Sequence, residues 1–422
     1  MGKLNKVSIS KTDVLLVCTA FMAYTGMYAV RKSFLAGQYE EVEAISGFHF
    51  KTLLIIGQVL GYMLSKFIGI RLVPEIPTYR RFGAIVGLVG FGLIMLLAFA
   101  YVPVPLKPVA MFLNGLPLGM IFGLVLVYLE GRKNSELLAA GLSATFIFST
   151  GLVKSTGIWI MQDFQINEWM MPFITGAVFF PMLLIAAYGL NKSKPPTATD
   201  KELRTERLPM DKKARLDFIK KHGAVFFVLV LVYVLLTVVR DFRDNFIVEF
   251  WASFNMSQQP ELITLTELPI AIFVLIISAL GILVIDNKKA FLLGVLATVI
   301  SAILMIIVTF LFKQGEIGPV IWMIGSGFSV YLPYILFHCL LFERLLAFLQ
   351  YKGTVGFLFY VADALGYLAS VGILIYKEFF YTQSSWVEFF TWLNFGCGAL
   401  IVVLVFVLLW NIKEVSPKFQ LK

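Results

Sequence analysis

The chain has 422 residues, 59% hydrophobic and only 14% charged, with a mean hydropathy of +0.85. A soluble domain carries about 25% charged residues, so these values exclude a soluble globular protein and indicate a polytopic membrane protein. The net charge of +9 would suggest nucleic acid in a soluble chain; here loop topology accounts for it, and no nucleic-acid partner is expected.

Twelve apolar segments follow one another, at about 13–34, 50–71, 82–102, 108–129, 136–161, 168–190, 222–250, 262–285, 290–312, 317–342, 353–376 and 386–411. Most are long enough to cross a hydrocarbon core of about 30 Å at about 1.5 Å per residue. Outside the segments, Lys51, Lys107, Lys313 and Lys377 fall on one face, while most of the 35 lysines and arginines fall on the other, with both termini. The positive-inside rule then places both termini in the cytoplasm, and the plasma (inner) membrane is the expected location. The stretch 191–221 is rich in charge and proline. Its first part reads as a flexible tether, and its second, from Asp211, as a basic amphipathic helix on the membrane surface. The expected fold is therefore all-α: a six-helix bundle over 1–190, a basic cytoplasmic linker over 191–221 and a second six-helix bundle over 222–422.

Segment one ends in a patterned stretch. Tyr24, Tyr28, Arg31 and Lys32 share one helix face, and Tyr233, Thr237, Arg240 and Asp241 repeat the spacing 209 residues later in segment seven. One arginine per half at matching positions suggests pseudo-symmetric halves around one charged site. Segment two carries Gln58, Tyr62, Ser65 and Lys66; segment five Thr145, Ser149, Lys154 and Thr156; segment seven also Arg243 and Asp244; segment eight Glu267; segment ten Ser326, Tyr331 and His338; segment eleven a stripe of Tyr360, Asp363, Tyr367 and Ser370. Segments three, six, nine and twelve have no charge in their cores. A charge at a helix centre costs about 2.5–3.5 kcal/mol on the insertion scale, so these residues need partners or a wet cavity. Plainer readings exist for several: Arg31, Lys32 and Lys66 can snorkel to an interface, Asp241 can pair with a neighbouring cation, and Lys154 can pair with Asp363 or Glu267. In segment four, Gly115, Gly119 and Gly123 form a small-residue ladder suited to close helix packing. Cys18, Cys339 and Cys397 lie inside apolar runs and suggest neither a disulfide nor a metal site.

The intramembrane cations outnumber the acids, which favours an anionic ligand. Two arginines suit a phosphate or carboxylate, because each guanidinium can donate two parallel hydrogen bonds.

These residues resemble a known group. Six plus six segments about a basic loop look like the major facilitator superfamily, and within it the organophosphate:phosphate antiporters, such as the glycerol-3-phosphate and hexose-phosphate transporters. Tyr28-Ala-Val-Arg31-Lys32-Ser-Phe34 is similar to that family's Tyr-x-x-Arg-Lys-x-Phe, and Ser65-Lys66-Phe67 matches its helix-two Ser-Lys-Phe. Arg240 matches the helix-seven arginine, Glu267 resembles the helix-eight acid, and Gly327-Phe-Ser-Val-Tyr331-Leu-Pro333 looks like the helix-ten motif. The resemblance implies that Arg31 and Arg240 clamp a phosphate, that Lys66 and Tyr62 assist, and that Lys32 and Glu267 sit in ion pairs that switch during transport. There are departures. The helix-five histidine is absent, with Lys154 about a turn further on; the helix-seven aspartate falls at Asn245, beside Asp244; and Asp363 is unexpected. The resemblance is that of a distant member.

The sequence-level reading is a secondary transporter moving a small organic anion by alternating access. Substrate binding is expected at Arg31, Arg240, Lys66, Tyr62, Tyr28 and Lys154. Ion-pair switching or proton coupling is expected at Lys32, Asp241, Glu267, Asp363, Arg243 and Asp244. A non-transporting sensor with the same fold and a proton-coupled carboxylate symporter are the alternatives. An enzyme is not expected, since the sequence has no Ser/His/Asp set, metal-spaced cluster or phosphate loop. No cofactor is expected; the expected partners are a small anionic solute and membrane lipid, and the expected state is a monomer.

Overall fold

The computed structural model describes residues 10–44, 47–129, 132, 134–193, 212–257, 259–351, 355–381 and 384–415. Among them are twelve helices long and apolar enough to cross a membrane. The first six are α1 (Lys11–Ala36), α2 (Phe50–Gly69), α3 (Thr78–Tyr101), α4 (Val104–Leu129), α5 (Glu136–Phe164) and α6 (Met171–Asn191). The second six are α7 (Lys213–Ser253), α8 (Glu261–Ile282), α9 (Asn287–Lys313), α10 (Pro319–Phe348), α11 (Gly356–Phe380) and α12 (Trp386–Asn411).

Local sequence explains how the central helices are set. A capping box starts α1: Ser10 Oγ accepts from the Asp13 amide and the Ser10 amide donates to Asp13 Oδ2. At its far end, after Lys32, α1 tightens into a 3-10 turn over Ser33–Ala36. Helices α2 and α4 meet backbone to backbone. A Cβ on Gly61 would lie 2.1 Å from the Phe112 carbonyl oxygen, and one on Gly115 2.2 Å from that of Gln58. The glycine ladder thus brings the polar face of α2 inward by letting α4 close behind it.

Within the first half α1 packs on α5 and α6, and α3 on α4 and α6; within the second, α7 packs on α10, α11 and α12. The halves meet with α2 against α11 and α5 against α8 and the π turn of α10. The uncharged helices face outward: Phe91 and Ile94 of α3, Val178 and Ile185 of α6, Ile300 of α9 and Phe406 of α12 are all exposed, as lipid-facing positions should be.

Two expectations change. The basic stretch from Lys212 is no separate surface helix; it continues into α7 as one helix, Lys212–Ser253. Phe218 explains the difference, because it is buried against Tyr351 and Phe226, with ring centroids 5.1 and 5.6 Å away. The Tyr351 hydroxyl also donates to the Ala214 carbonyl at 2.7 Å. The tether expected before it falls on 194–211, outside the described residues. Secondly, Lys51, Lys107 and Lys377, read as loop cations, are buried.

Candidate functional site

The C-terminal part of α1 and the stretch of α7 just before its kink at Phe246 meet at a small central cavity lined by Tyr28, Arg31, Lys32, Phe146, Thr150, Arg240, Asp241, Asp244, Tyr331 and Tyr367. It has room for about one water. The two arginines of the repeated pattern both line it.

Arg31 is only 4% exposed. Its guanidinium lies over the Tyr62 ring, 3.5 Å from the centroid, and its Nε has no hydrogen-bond partner. Among the described residues no carboxylate pairs with it. Its backbone is held firmly instead. Gln58 Nε2 donates to the Arg31 carbonyl at 2.5 Å and to Asn114 Oδ1 at 2.9 Å, while Asn114 Nδ2 donates to the Val30 and Gly92 carbonyls at 3.2 and 2.9 Å. This network caps the Val30 and Arg31 carbonyls near the end of α1 and ties them to α2, α3 and α4.

Arg240 is differently placed. It is ion-paired with Asp241, with Nε 3.1 Å from Oδ1, and Ser370 Oγ donates to the other carboxylate oxygen at 2.9 Å. Its guanidinium stacks over Tyr334 at 4.1 Å. Asp241 is therefore engaged inside its own half.

Lysines of the first half reach across to the second. Lys32 Nζ lies 2.8 Å from Asp244 Oδ2 and donates to Asn245 Oδ1 at 3.0 Å. Lys154 Nζ lies 2.5 Å from Asp244 Oδ1 and also donates to the Asp244 carbonyl. That carbonyl is offered beside a kink in α7, where Phe246 leaves helical geometry (φ −117°, ψ 17°) and stacks on Trp386. Lys66 pairs with Asp363 of α11, and its ammonium lies over the same Tyr62 ring as Arg31, 5.3 Å from the centroid. Asp363 also accepts from the Tyr233 hydroxyl.

Several expected roles change with this geometry. Lys154, expected to bind substrate, is occupied by Asp244 rather than by Asp363, Glu267 or the cavity. Glu267 is paired with Arg243 inside the second half at 2.5 Å, and Arg243, fully buried, also donates to the Met323 carbonyl at 2.9 Å. That pair joins α7 to α8 and α10 of one half, with Glu267 packed against Gly151 of α5 at the seam between the halves. Tyr62 acts as the shelf under Arg31 and Lys66.

The residues missed from sequence lie towards the face opposite the termini. Lys51 pairs with Glu249 and donates to the Leu35 carbonyl at 2.9 Å. Glu378 accepts from Thr52 Oγ1 at 2.5 Å and lies 2.8 Å from His49 Nδ1. Among the described residues on this face, the contacts that cross between the halves put the nitrogen base in the first half and the carboxylate in the second. Near the termini the polarity reverses, with Glu136 of the first half 3.3 Å from Arg344 of the second. Such pairs are separated by roughly 200 to 330 residues in the chain, so no local pattern marks them.

Comparisons with known proteins bear on the fold. The family described as a family of unknown function (DUF5690) matches residues 33–414. No curated protein matches. The chain is similar to the crystal structure of a D-xylose-proton symporter, with a TM-score of 0.59, 14% identity and coverage of 94% of this chain and 96% of that one. It is also similar to the structure of the major facilitator superfamily proton:xylose symporter XylE bound to 6-bromo-6-deoxy-D-glucose, with a TM-score of 0.56, 16% identity and coverage of 93% and 95%. At these identities the likeness is one of fold: twelve membrane helices in the major facilitator arrangement.

Proposed function

We propose, from the premise that the chain belongs to the DUF5690 family of unknown function, that it is a secondary transporter moving a small organic anion by alternating access. A single observation carries the reading: Arg31 is a buried guanidinium, facing a cavity, with no carboxylate partner among the described residues. A buried charge without a partner is costly, and an anion entering the cavity supplies the missing counter-charge. Arg240 supplies the second guanidinium, and Tyr28 the polar wall between them. The structural neighbours are described as xylose symporters, but a neutral sugar would leave Arg31 uncompensated, so the chemistry of this cavity favours a phosphate ester or carboxylate. The neighbours' transport role supports the class of function and leaves the substrate to the cavity. The loop charges favour a plasma (inner) membrane protein with cytoplasmic termini, working as a monomer in lipid.

The test is counterflow in proteoliposomes with labelled inorganic phosphate, phosphate monoesters and dicarboxylates. Uptake of at least one anion by the native protein, abolished by Arg31→Ala with Arg240→Ala, is the expected result. Unchanged uptake by the double variant would overturn the arginine clamp. Binding without counterflow would favour a sensor.

A further inference from the structure

The proposed anion site leaves one intramembrane carboxylate unexplained. Asp363 sits where the halves touch, on α11 against α2, and its two oxygens have different partners. One faces the Lys66 ammonium and the other accepts from Tyr233. Behind Tyr233, His338 Nε2 and the Tyr334 hydroxyl each lie 3.1 Å from the Tyr233 oxygen. His338 occupies a π-helical turn, Phe337–Leu341, four residues beyond the helix-interior Pro333; π turns recur at functional sites. The groups around Asp363 are Lys66 and Tyr62 from α2, Tyr233 from α7, and Tyr334 and His338 from α10, with Tyr367 of its own helix beneath the Lys66 ammonium. Lys66 is the only one of these in direct charge contact with it.

We infer that Asp363 is the proton-binding site of the transport cycle, exchanging Lys66 for a proton when the anion binds. The inference rests on the anion reading of the cavity. Lys66 shares the Tyr62 ring with Arg31 but does not itself line the cavity, so the exchange requires its ammonium to swing from Asp363 past that ring towards an anion on Arg31. When Lys66 turns to that anion, Asp363 is left as a buried carboxylate with no cation, a state relieved by taking up one proton. That proton arrives on Asp363 Oδ1 from the Tyr233 hydroxyl; the Tyr233 oxygen takes one from His338 Nε2–H, and His338 takes one from a solvent hydronium, which leaves as water, so the net change is one proton moved from solvent to Asp363. The coupling is reciprocal: the bound anion raises proton affinity and the bound proton raises anion affinity. The transported species is then an anion together with a proton.

The decisive experiment needs no substrate. Lys66→Gln imitates the departed lysine. Infrared spectra of purified Lys66→Gln protein are compared, across a pH series, with those of Lys66→Gln/Asp363→Asn and the native protein. The expected result is a protonated-carboxyl band near neutral pH in Lys66→Gln, absent from both others. Spectra of the single and double variants that coincide would overturn the proposal. A second arm uses proteoliposomes and inorganic phosphate under an imposed pH gradient. Native uptake should rise when the side of entry is made acid, and Asp363→Asn uptake should not respond to the gradient. An equal response in both would overturn the coupling role. Absence of phosphate movement in native protein would count against phosphate as the anion, while the infrared comparison would still decide the protonation of Asp363.

Discussion

Arg31 and Arg240 occupy equivalent places in the two halves and line the same cavity, yet they are built in opposite ways. Arg240 is neutralised by the next residue, Asp241, which Ser370 holds in turn. Arg31 is followed by Lys32, whose charge is spent across the seam on Asp244, and it keeps only the face of Tyr62. One change of residue type at the matching position, lysine against aspartate, makes one arginine a self-contained pair and the other an incomplete one. A ligand site needs both: a fixed donor and an unsatisfied charge.

The largest effect that would sharpen this contrast is on stability. Arg240→Gln leaves Asp241 buried without its cation, and breaking a buried pair costs about 3–5 kcal/mol; a marked fall in the melting temperature of detergent-purified protein is expected. Arg240→Gln/Asp241→Asn should recover most of that loss, and a double variant as unstable as the single would break the comparison. Next in size is Arg31→Gln. Losing two charge-assisted hydrogen bonds, at about 1.5–3 kcal/mol each, should weaken anion binding by about 100-fold or more, with the melting temperature of the unliganded protein unchanged or raised. Gln58→Leu removes the donor to the Arg31 carbonyl and is expected to cost about 1–3 kcal/mol, with anion affinity falling while Arg31 itself is intact. The smallest effect is expected at the far seam: replacing Lys51 by Met together with Glu249→Gln should change stability by no more than about 1–2 kcal/mol, because removing both members leaves no orphan charge. Its readout is faster opening of that face, measured by labelling of a cysteine placed at Gln162.

Much of the fold was legible because hydropathy sets membrane spans one segment at a time. The arginine pair was legible for a similar reason, since the spacing of Tyr24, Tyr28, Arg31 and Lys32 recurs intact in α7. What failed to show was partner choice. Lys154 could be counted as intramembrane, but its partner, Asp244, lies 90 residues away on α7, two residues before the kink at Phe246, and no local spacing marks that pairing. Glu267 was read from its residue type; that its partner is the buried Arg243 of the same half is visible only in the structure. The basic stretch before α7 read as a surface helix because five cations outweighed Phe218, and it was Phe218, seated on Tyr351, that set its course.

The sign of the seam has a consequence for assembly. Lys32, Lys51, Lys154 and Lys66 all lie on one half, and their carboxylates Asp244, Glu249 and Asp363 on the other. Two copies of the first half brought face to face would set ammonium against ammonium; two copies of the second would crowd carboxylates in a medium that cannot hydrate them. Each half therefore carries an address that its own twin cannot satisfy. Cut within 194–211 and co-expressed as two polypeptides, the halves should seek each other and refuse themselves.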